Sequence, residues 1–183
     1  MSELALRLAV RELRRGGVVA VPTEAVWGLS CDPFSRTAVD TLLKLKQRDW
    51  RKGLIVVASE LDLLAPFIEA PSAMALKRAK ATWPGASTWV FPAAPTAPMW
   101  ISGEHDSVAV RITAHPLLRA LCERFGGALV STSANRAGQP PARSLAELRL
   151  RLGPELMVVP GALGGMSKPT SIREAATGHI LRR

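Results

Sequence analysis

Apolar positions along this chain recur in two rhythms, one helical and one strand-like. Leu4, Leu8, Val10 and Leu13 return at helical intervals between Ser2, which can cap a first turn, and Gly16-Gly17, which stop one. That pattern predicts an amphipathic helix over residues 4–15 with those four side chains facing inward. Residues 18–21 form a continuous apolar run, read as a buried strand that Pro22 ends. A polar, Gly-containing loop follows, with Thr23, Glu24, Gly28, Ser30 and Asp32. Near Ser35 the helical spacing resumes through Val39, Leu42, Leu43 and Leu45. This helix runs out into Lys46-Gln47-Arg48 and Arg51-Lys52, and a second buried strand is predicted over 54–58.

The rest of the chain alternates in the same way. Ser59 caps a short helix limited by Pro66, and a further helix covers 72–82. Trp83-Pro84-Gly85 turns into a strand over 87–91. A Pro-, Ala- and Gly-rich stretch, AAPTAPMWISGEHDS, reads as a surface excursion before the strand over 108–112, which contains Arg111. His115-Pro116 opens a helix that Gly126-Gly127 close. A short strand, 129–130, runs directly into Ser131-Thr132-Ser133-Ala134-Asn135. Ser144 and Glu147 have capping-box spacing for a helix to about residue 152, followed by a strand over 157–159. A Gly-rich loop at 161–165 and an edge strand at Ile180 finish the chain. Some strand pairs enclose helices and others only loops. The predicted architecture is therefore α/β, an open twisted mixed sheet with flanking helices, in one domain over 1–183.

Composition narrows the class. Among 183 residues, 48% are hydrophobic and 21% charged, as in ordinary soluble globular proteins. No apolar run approaches the roughly 20 residues of a bilayer span. The N-terminal segment, with Glu3, Arg7 and Arg11 among its apolar residues, lacks the pattern of a secretory signal or transit peptide, so a cytoplasmic protein is expected. Cys31 and Cys122 lie far apart and form no Cys-x-x-Cys; both are expected reduced and buried. His105, His115 and His179 have no zinc-site spacing. The net charge of +9 implies an anionic partner that meets the folded surface, since no Lys/Arg tail exists.

Two segments carry candidate chemistry. Lys46 and Arg48 share a face only if the chain becomes extended at the helix end; they can then grip one polyanion together. The other reading is a solvated helix terminus whose cations complement the dipole. Ser131, Thr132, Ser133 and Asn135 cluster after a buried strand, where sheet proteins often bind ligands, and where ST- and Asn-turns also form. The chain has no G-x-x-x-x-G-K-[ST], G-x-G-x-x-G or G-x-S-x-G. A nucleotide would thus be held by side-chain cations and hydroxyls, with Glu24 and Asp32 the acids available to magnesium.

Taken together, VPTEAVWGLSCDP, LKQRDWRKGL, SVAVRITAHP and STSANRAGQPP resemble the YrdC/TsaC family of threonylcarbamoyl-AMP synthases in its short bacterial form. The resemblance extends from residue 18 to the closing KPTSIREAATGHILR. It implies a YrdC-like sheet with a basic concave face. It also implies condensation of L-threonine, bicarbonate or CO2, and ATP into threonylcarbamoyl-AMP and pyrophosphate. Partner proteins then transfer the threonylcarbamoyl group to an adenosine beside the tRNA anticodon. By the same resemblance, Lys46, Arg48 and Lys52 hold the ATP phosphates, Lys46 and Arg48 as the catalytic cations. Ser133 and Asn135 meet the triphosphate and its Mg2+, with no metal held by the protein alone. Thr23 and Arg111 bind threonine, the arginine at its carboxylate, and Ser131 and Thr132 line the same cavity. Longer family members carry a second C-terminal domain, so closure of the site here is expected from local loops or partners. Ala25, standing where relatives often have Thr or Ser, is assigned no contact. Pro169-Thr170-Ser171-Ile172 keeps the spacing of a family motif without fixing a role for Ser171.

A different class of function also fits the charge: a double-stranded RNA or tRNA-binding module that uses the basic concave face without chemistry of its own. With 5% aromatics and no Tyr, a single-strand stacking platform is disfavoured. The K-x-R and S-x-N pairs favour a small-molecule site.

Overall fold

A computed structural model describes residues 3–166 and 170–182. Ser2, expected to cap the first helix, and Lys168 and Pro169 of the closing motif lie outside them. Among the described residues nine strands form one mixed sheet. In chain order they are β1 (Val19–Pro22), β2 (Trp27–Ser30), β3 (Ile55–Ala58), β4 (Ser87–Pro92), β5 (Ser107–Ile112), β6 (Leu129–Ser133), β7 (Met157–Val158), β8 (Ser171–Glu174) and β9 (Ile180–Arg182). Their order across the sheet is β7-β1-β2-β6-β3-β5-β4-β8-β9. Three neighbouring pairs are parallel, β1 with β7, β3 with β5 and β4 with β8; the rest are antiparallel. This irregular mixed sheet is the one that the uneven helix spacing predicts.

Helices cover both faces. On one face α2 (Arg36–Lys46) buries Ala38, Val39, Leu42 and Leu43 in the larger core, with Leu29, Val56, Val110 and Val130 of the sheet. Ser35 caps this helix, its hydroxyl accepting from the Ala38 amide. On the other face α1 (Glu3–Arg14) and α5 (Pro116–Phe125) pack on Val19, Val21, Val57 and Leu129. The α1 stripe has a different phase from the expected one. Leu6, Ala9, Val10 and Leu13 are buried, while Leu4 and Leu8 point to solvent, Leu4 being 64% exposed. Steps of three and four from Leu6 give a stripe that meets α5, whereas the Leu4–Leu8 line continues into Arg11 and Arg15.

Other expectations are corrected by the structure. Residues 27–30, read as loop, are β2; all four pair with β1, Gly28 and Leu29 also with β6, and burial on both faces leaves no alternation to mark them. The strand over 129–130 continues through Ser133, because Ser131 pairs with Ile55 and Ser133 with Gly28. The 93–107 excursion contains a one-turn helix, α4 (Met99–Ser102), with Ile101 fully buried. It is held by the Leu54 amide donating to Ile101 O and by Trp100 Nε1 donating to Pro33 O. Ser59 does not cap the short 59–66 segment, whose turn, Asp62–Leu64, starts from Leu61. The remaining helices, α3 (Ala73–Lys80) and α6 (Leu145–Leu152), start from Ser72 and Ser144 as expected.

Candidate functional site

Side chains alternate across a strand, so one face of the sheet changes character every two residues. On the face carrying α5, Leu129 of β6 stands beside Val57 of β3, and both are core. One step along, Ser131 stands beside Ile55, and Ile55 beside Ala109. These residues, with Gly28 and Ser133, floor a cavity of about 500 Å3. It opens where α1 and α5 no longer cover the sheet.

The walls come from four segments. The β1–β2 turn supplies Thr23, Ala25 and Val26; Thr23 closes the turn by donating both its amide and its hydroxyl to Val26 O. Gly28 is required here, because a Cβ would lie 2.9 Å from the Thr23 methyl. Residues 48–53 supply Arg48, Lys52 and Gly53. They lie tightly against α4: a Cβ on Gly103 would fall 2.3 Å from Arg51 O, and Gly103 holds φ +69°. The α4–β5 segment adds Ser102, His105 and Ser107, and the C-terminal strands add Thr170, Ile172, Leu181 and Arg182.

Of the residues expected at a site, Thr23, Arg48, Lys52, Arg111, Ser131, Thr132 and Ser133 line this cavity. Lys46 and Asn135 do not; they stand behind its wall. Gln47 takes a left-handed conformation, φ 50°, which ends α2; Lys46 then bonds to the S-x-N turn and Arg48 to Gly53 O beside the cavity. Lys46 is only 2% exposed, which corrects the solvated-terminus reading. Its ammonium donates to Ser133 O, to Asn135 O at 2.9 Å and to Asn135 Oδ1 at 3.4 Å. Ser133 Oγ donates to Asn135 Oδ1, and the Asn135 amide donates to Arg136 O and Gln139 O. Lys46 therefore staples the S-x-N turn from inside. Burial, with Arg48 nearby, pulls its pKa down to about 8.

Arg48 turns toward the cavity and donates to Gly53 O at 3.0 Å, while its buried Nε has no partner among the described residues. Burial lowers its pKa, and Arg182 adds repulsion. Arg111, 4% exposed, is balanced differently: its Nη1 lies 3.3 Å from Glu24 Oε2. Burial lowers its pKa and Glu24 opposes the shift. Arg111 Nη2 reaches Ser131 Oγ at 3.5 Å.

The loop acids considered for magnesium are both engaged within the protein, Glu24 with Arg111 and Asp32 by accepting from the Phe34 amide. Among the described residues no cluster of His, Cys, Asp and Glu could hold a metal. Cys31 and Cys122 are buried free thiols, and burial raises both pKa values, Cys122 to about 12. Sequence reasoning missed Ser102, His105, Ser107, Thr170 and Arg182. They come from the α4–β5 connection, the first residue of β5 and the C-terminal segment, which reach the cavity only through tertiary pairing, although an edge strand at Ile180 is expected from the sequence.

The arrangement can bind a compact polyanion beside a carboxylate: three arginines and a lysine face one small space with hydroxyls from β6. Comparison with known proteins agrees. The family model described as Telomere recombination (Sua5/YciO/YrdC) matches residues 11–183. The threonylcarbamoyl-AMP synthase of Halorhodospira halophila is 53% identical over 97% of this chain and 94% of its own length. That of Xylella fastidiosa strain 9a5c is 53% identical over 98% and 97%. Among solved structures, P. abyssi Sua5 complexed with L-threonine superposes with a TM-score of 0.88 at 28% identity. The match covers 95% of this chain, which spans about half, 52%, of that longer one. With a family model, close relatives and a solved fold matched over nearly its whole length, this chain belongs to the Sua5/YciO/YrdC family.

Proposed function

We propose that the chain is an L-threonylcarbamoyladenylate synthase, which joins L-threonine, bicarbonate or CO2, and MgATP into threonylcarbamoyl-AMP with release of pyrophosphate. The observation that carries this is the cavity floored by β6 hydroxyls and walled by Arg48, Lys52, Arg111 and Arg182. Arg111 takes the threonine carboxylate, and Thr23 and Ser131 take its remaining polar groups. Arg48 and Lys52 hold the ATP phosphates. Ser133, with Asn135 and Lys46 fixing its turn, presents hard oxygens at the phosphate end, where magnesium enters with the nucleotide. The carbamate oxygen attacks the α-phosphorus while the bond to pyrophosphate breaks, so charge grows on phosphoryl oxygens. Preorganised cations stabilise that charge, and no covalent protein nucleophile is needed. The test is direct: the purified protein with ATP, threonine and bicarbonate releases pyrophosphate, and omission of threonine abolishes it. Release without threonine dependence would refute the reading.

The product is a reactive mixed anhydride, so a threonylcarbamoyl-transferase must consume it, and tRNA is the final acceptor. A role in RNA binding alone is not favoured by relatives that are named as synthases along their whole length. A second groove, between α1 and α5, gathers Arg7, Arg11, Arg14, Arg15 and Arg124. Among the described residues no helix is long and apolar enough to cross a membrane. A cytoplasmic location accords with the substrates.

A further inference from the structure

Glu24 does not line the cavity, yet it is buried against the least accessible cation of its wall. Its two oxygens have separate tasks. Oε2 lies 3.3 Å from Arg111 Nη1 as an ion pair without a hydrogen bond, and Oε1 accepts the Thr113 hydroxyl at 2.8 Å. Thr113 Oγ1 in turn accepts the His115 amide at 3.1 Å, which anchors the chain of contacts at the start of α5. The Glu24 backbone is pinned as well: Met166 N donates to Glu24 O and Gly164 N to Thr23 O. Only glycine fits at 164, since a Cβ would lie 2.8 Å from Glu24 Cα. Held by Thr113 and by its own backbone, the carboxylate places a fixed negative charge beside Arg111. Arg111 Nε is buried without a hydrogen-bond partner among the described residues, so this guanidinium keeps donor capacity for a ligand.

We infer that Glu24 is the positioning residue for Arg111, held by Thr113, and that this relay sets how tightly the cavity takes the amino-acid carboxylate. The inference rests on the reading of Arg111 as the threonine contact. A forked guanidinium recognises a carboxylate through the direction of its N–H bonds, so a guanidinium free to rotate loses affinity without any loss of charge. A residue that served only to neutralise a buried arginine would change stability and leave substrate affinities alone.

The experiment is steady-state pyrophosphate release with threonine and ATP varied separately, for Glu24→Gln, Thr113→Val, Arg111→Lys and the Glu24→Gln/Arg111→Lys double variant. Glu24→Gln raises the threonine KM about tenfold or more and moves the ATP KM less than about twofold. Thr113→Val, which keeps the ion pair, moves the threonine KM in the same direction by a smaller factor. The double variant is no worse than Arg111→Lys alone, because the two residues act as one unit. An unmoved threonine KM in Glu24→Gln, an equal rise in both KM values, or multiplicative effects in the double variant would overturn the inference. If Arg111→Lys shifts only the ATP KM and Glu24→Gln follows it, positioning stands and the threonine assignment of Arg111 fails. If Glu24→Gln does not fold, Thr113→Val decides, and an unmoved threonine KM there overturns the relay.

Discussion

The two halves of one sheet face differ by a single step of strand alternation and behave as different materials. Under α1 and α5, the face presents Val19, Val21, Val57 and Leu129, and helices seal it. Two residues further along β6, the same face presents Ser131 and then Ser133, and a cavity replaces the helices. The boundary runs through cross-strand neighbours: Val57 stands beside Leu129 on one side and Arg111 on the other. Burial alone does not distinguish the halves, for Arg111 is almost as inaccessible as the valines. What differs is the means by which burial is tolerated. The apolar half is held by packing, the polar half by a carboxylate, hydroxyls and carbonyl oxygens. Damage to the first should therefore appear as lost stability, and damage to the second as lost rate or affinity.

The largest effect should come from the apolar half. Leu129→Ala removes a fully buried side chain at the β6–α5 contact and should cost about 2–5 kcal/mol of stability. Activity per folded molecule should persist, as read by denaturant melts beside pyrophosphate assays on the folded fraction. A variant that is stable yet inactive would erase the division between the halves.

The polar half should respond in rate. Arg48→Ala should lose roughly 2–4 kcal/mol of transition-state stabilisation, about 30- to 1,000-fold in pyrophosphate release. Its melting point should move far less, and Arg48→Lys should rescue only in part. Near-wild-type turnover would remove Arg48 from the chemistry.

Lys46 sharpens the comparison, since it is a buried cation compensated by neutral oxygens alone. Its pKa near 8 lies below the usual lysine value, so between about pH 8 and 10.5 the unfolded chain holds a proton that the folded chain has released. In that window stability should rise with pH, and below pH 8 this contribution should be flat. Titration of the Lys46 side chain by NMR should give a midpoint near 8, and a midpoint near 10 would show that the three oxygens balance its charge in full.

The smallest effect concerns the exterior arginines. Arg7→Glu with Arg11→Glu should leave pyrophosphate release unchanged, because both lie on the α1 groove, away from the cavity. The same change should weaken binding of a tRNA transcript and flatten its salt dependence, each lost phosphate contact lowering the slope by about one. Equal binding by variant and wild type would show that this groove takes no part in holding RNA.

Much of this was legible in the chain. The buried runs that became β1 and β3, the caps at Ser35, Ser72 and Ser144, and the cations at Arg48 and Arg111 all have local signatures. The motif residues of the β1–β2 turn and of β6 do meet in one cavity. The failures share one cause. Trp27–Ser30 has no alternation because both its faces are covered, and Lys46 looked like a dipole-complementing terminus because the oxygens that receive it lie almost ninety positions away. His105 carries no motif and Arg182 closes a matching segment without an assigned role, and only the pairing of distant strands brings them to the wall. Local pattern reports what a residue does to its own element and is silent on what another element later asks of it.

The last stretch of the chain reaches both rims of the sheet. Met157–Val158 pairs with β1 at one rim, and Ser171–Glu174 pairs with β4 toward the other, carrying Ile180–Arg182 outside it. The first of these pairings widens the sheet beside β1, and the second brings Thr170 and Arg182 to the wall of the cavity. The strands that border the sheet on the β4 side therefore also complete the site. Loosening β8 or β9 would strip a wall from the cavity while leaving its floor of β2, β3, β5 and β6 in place.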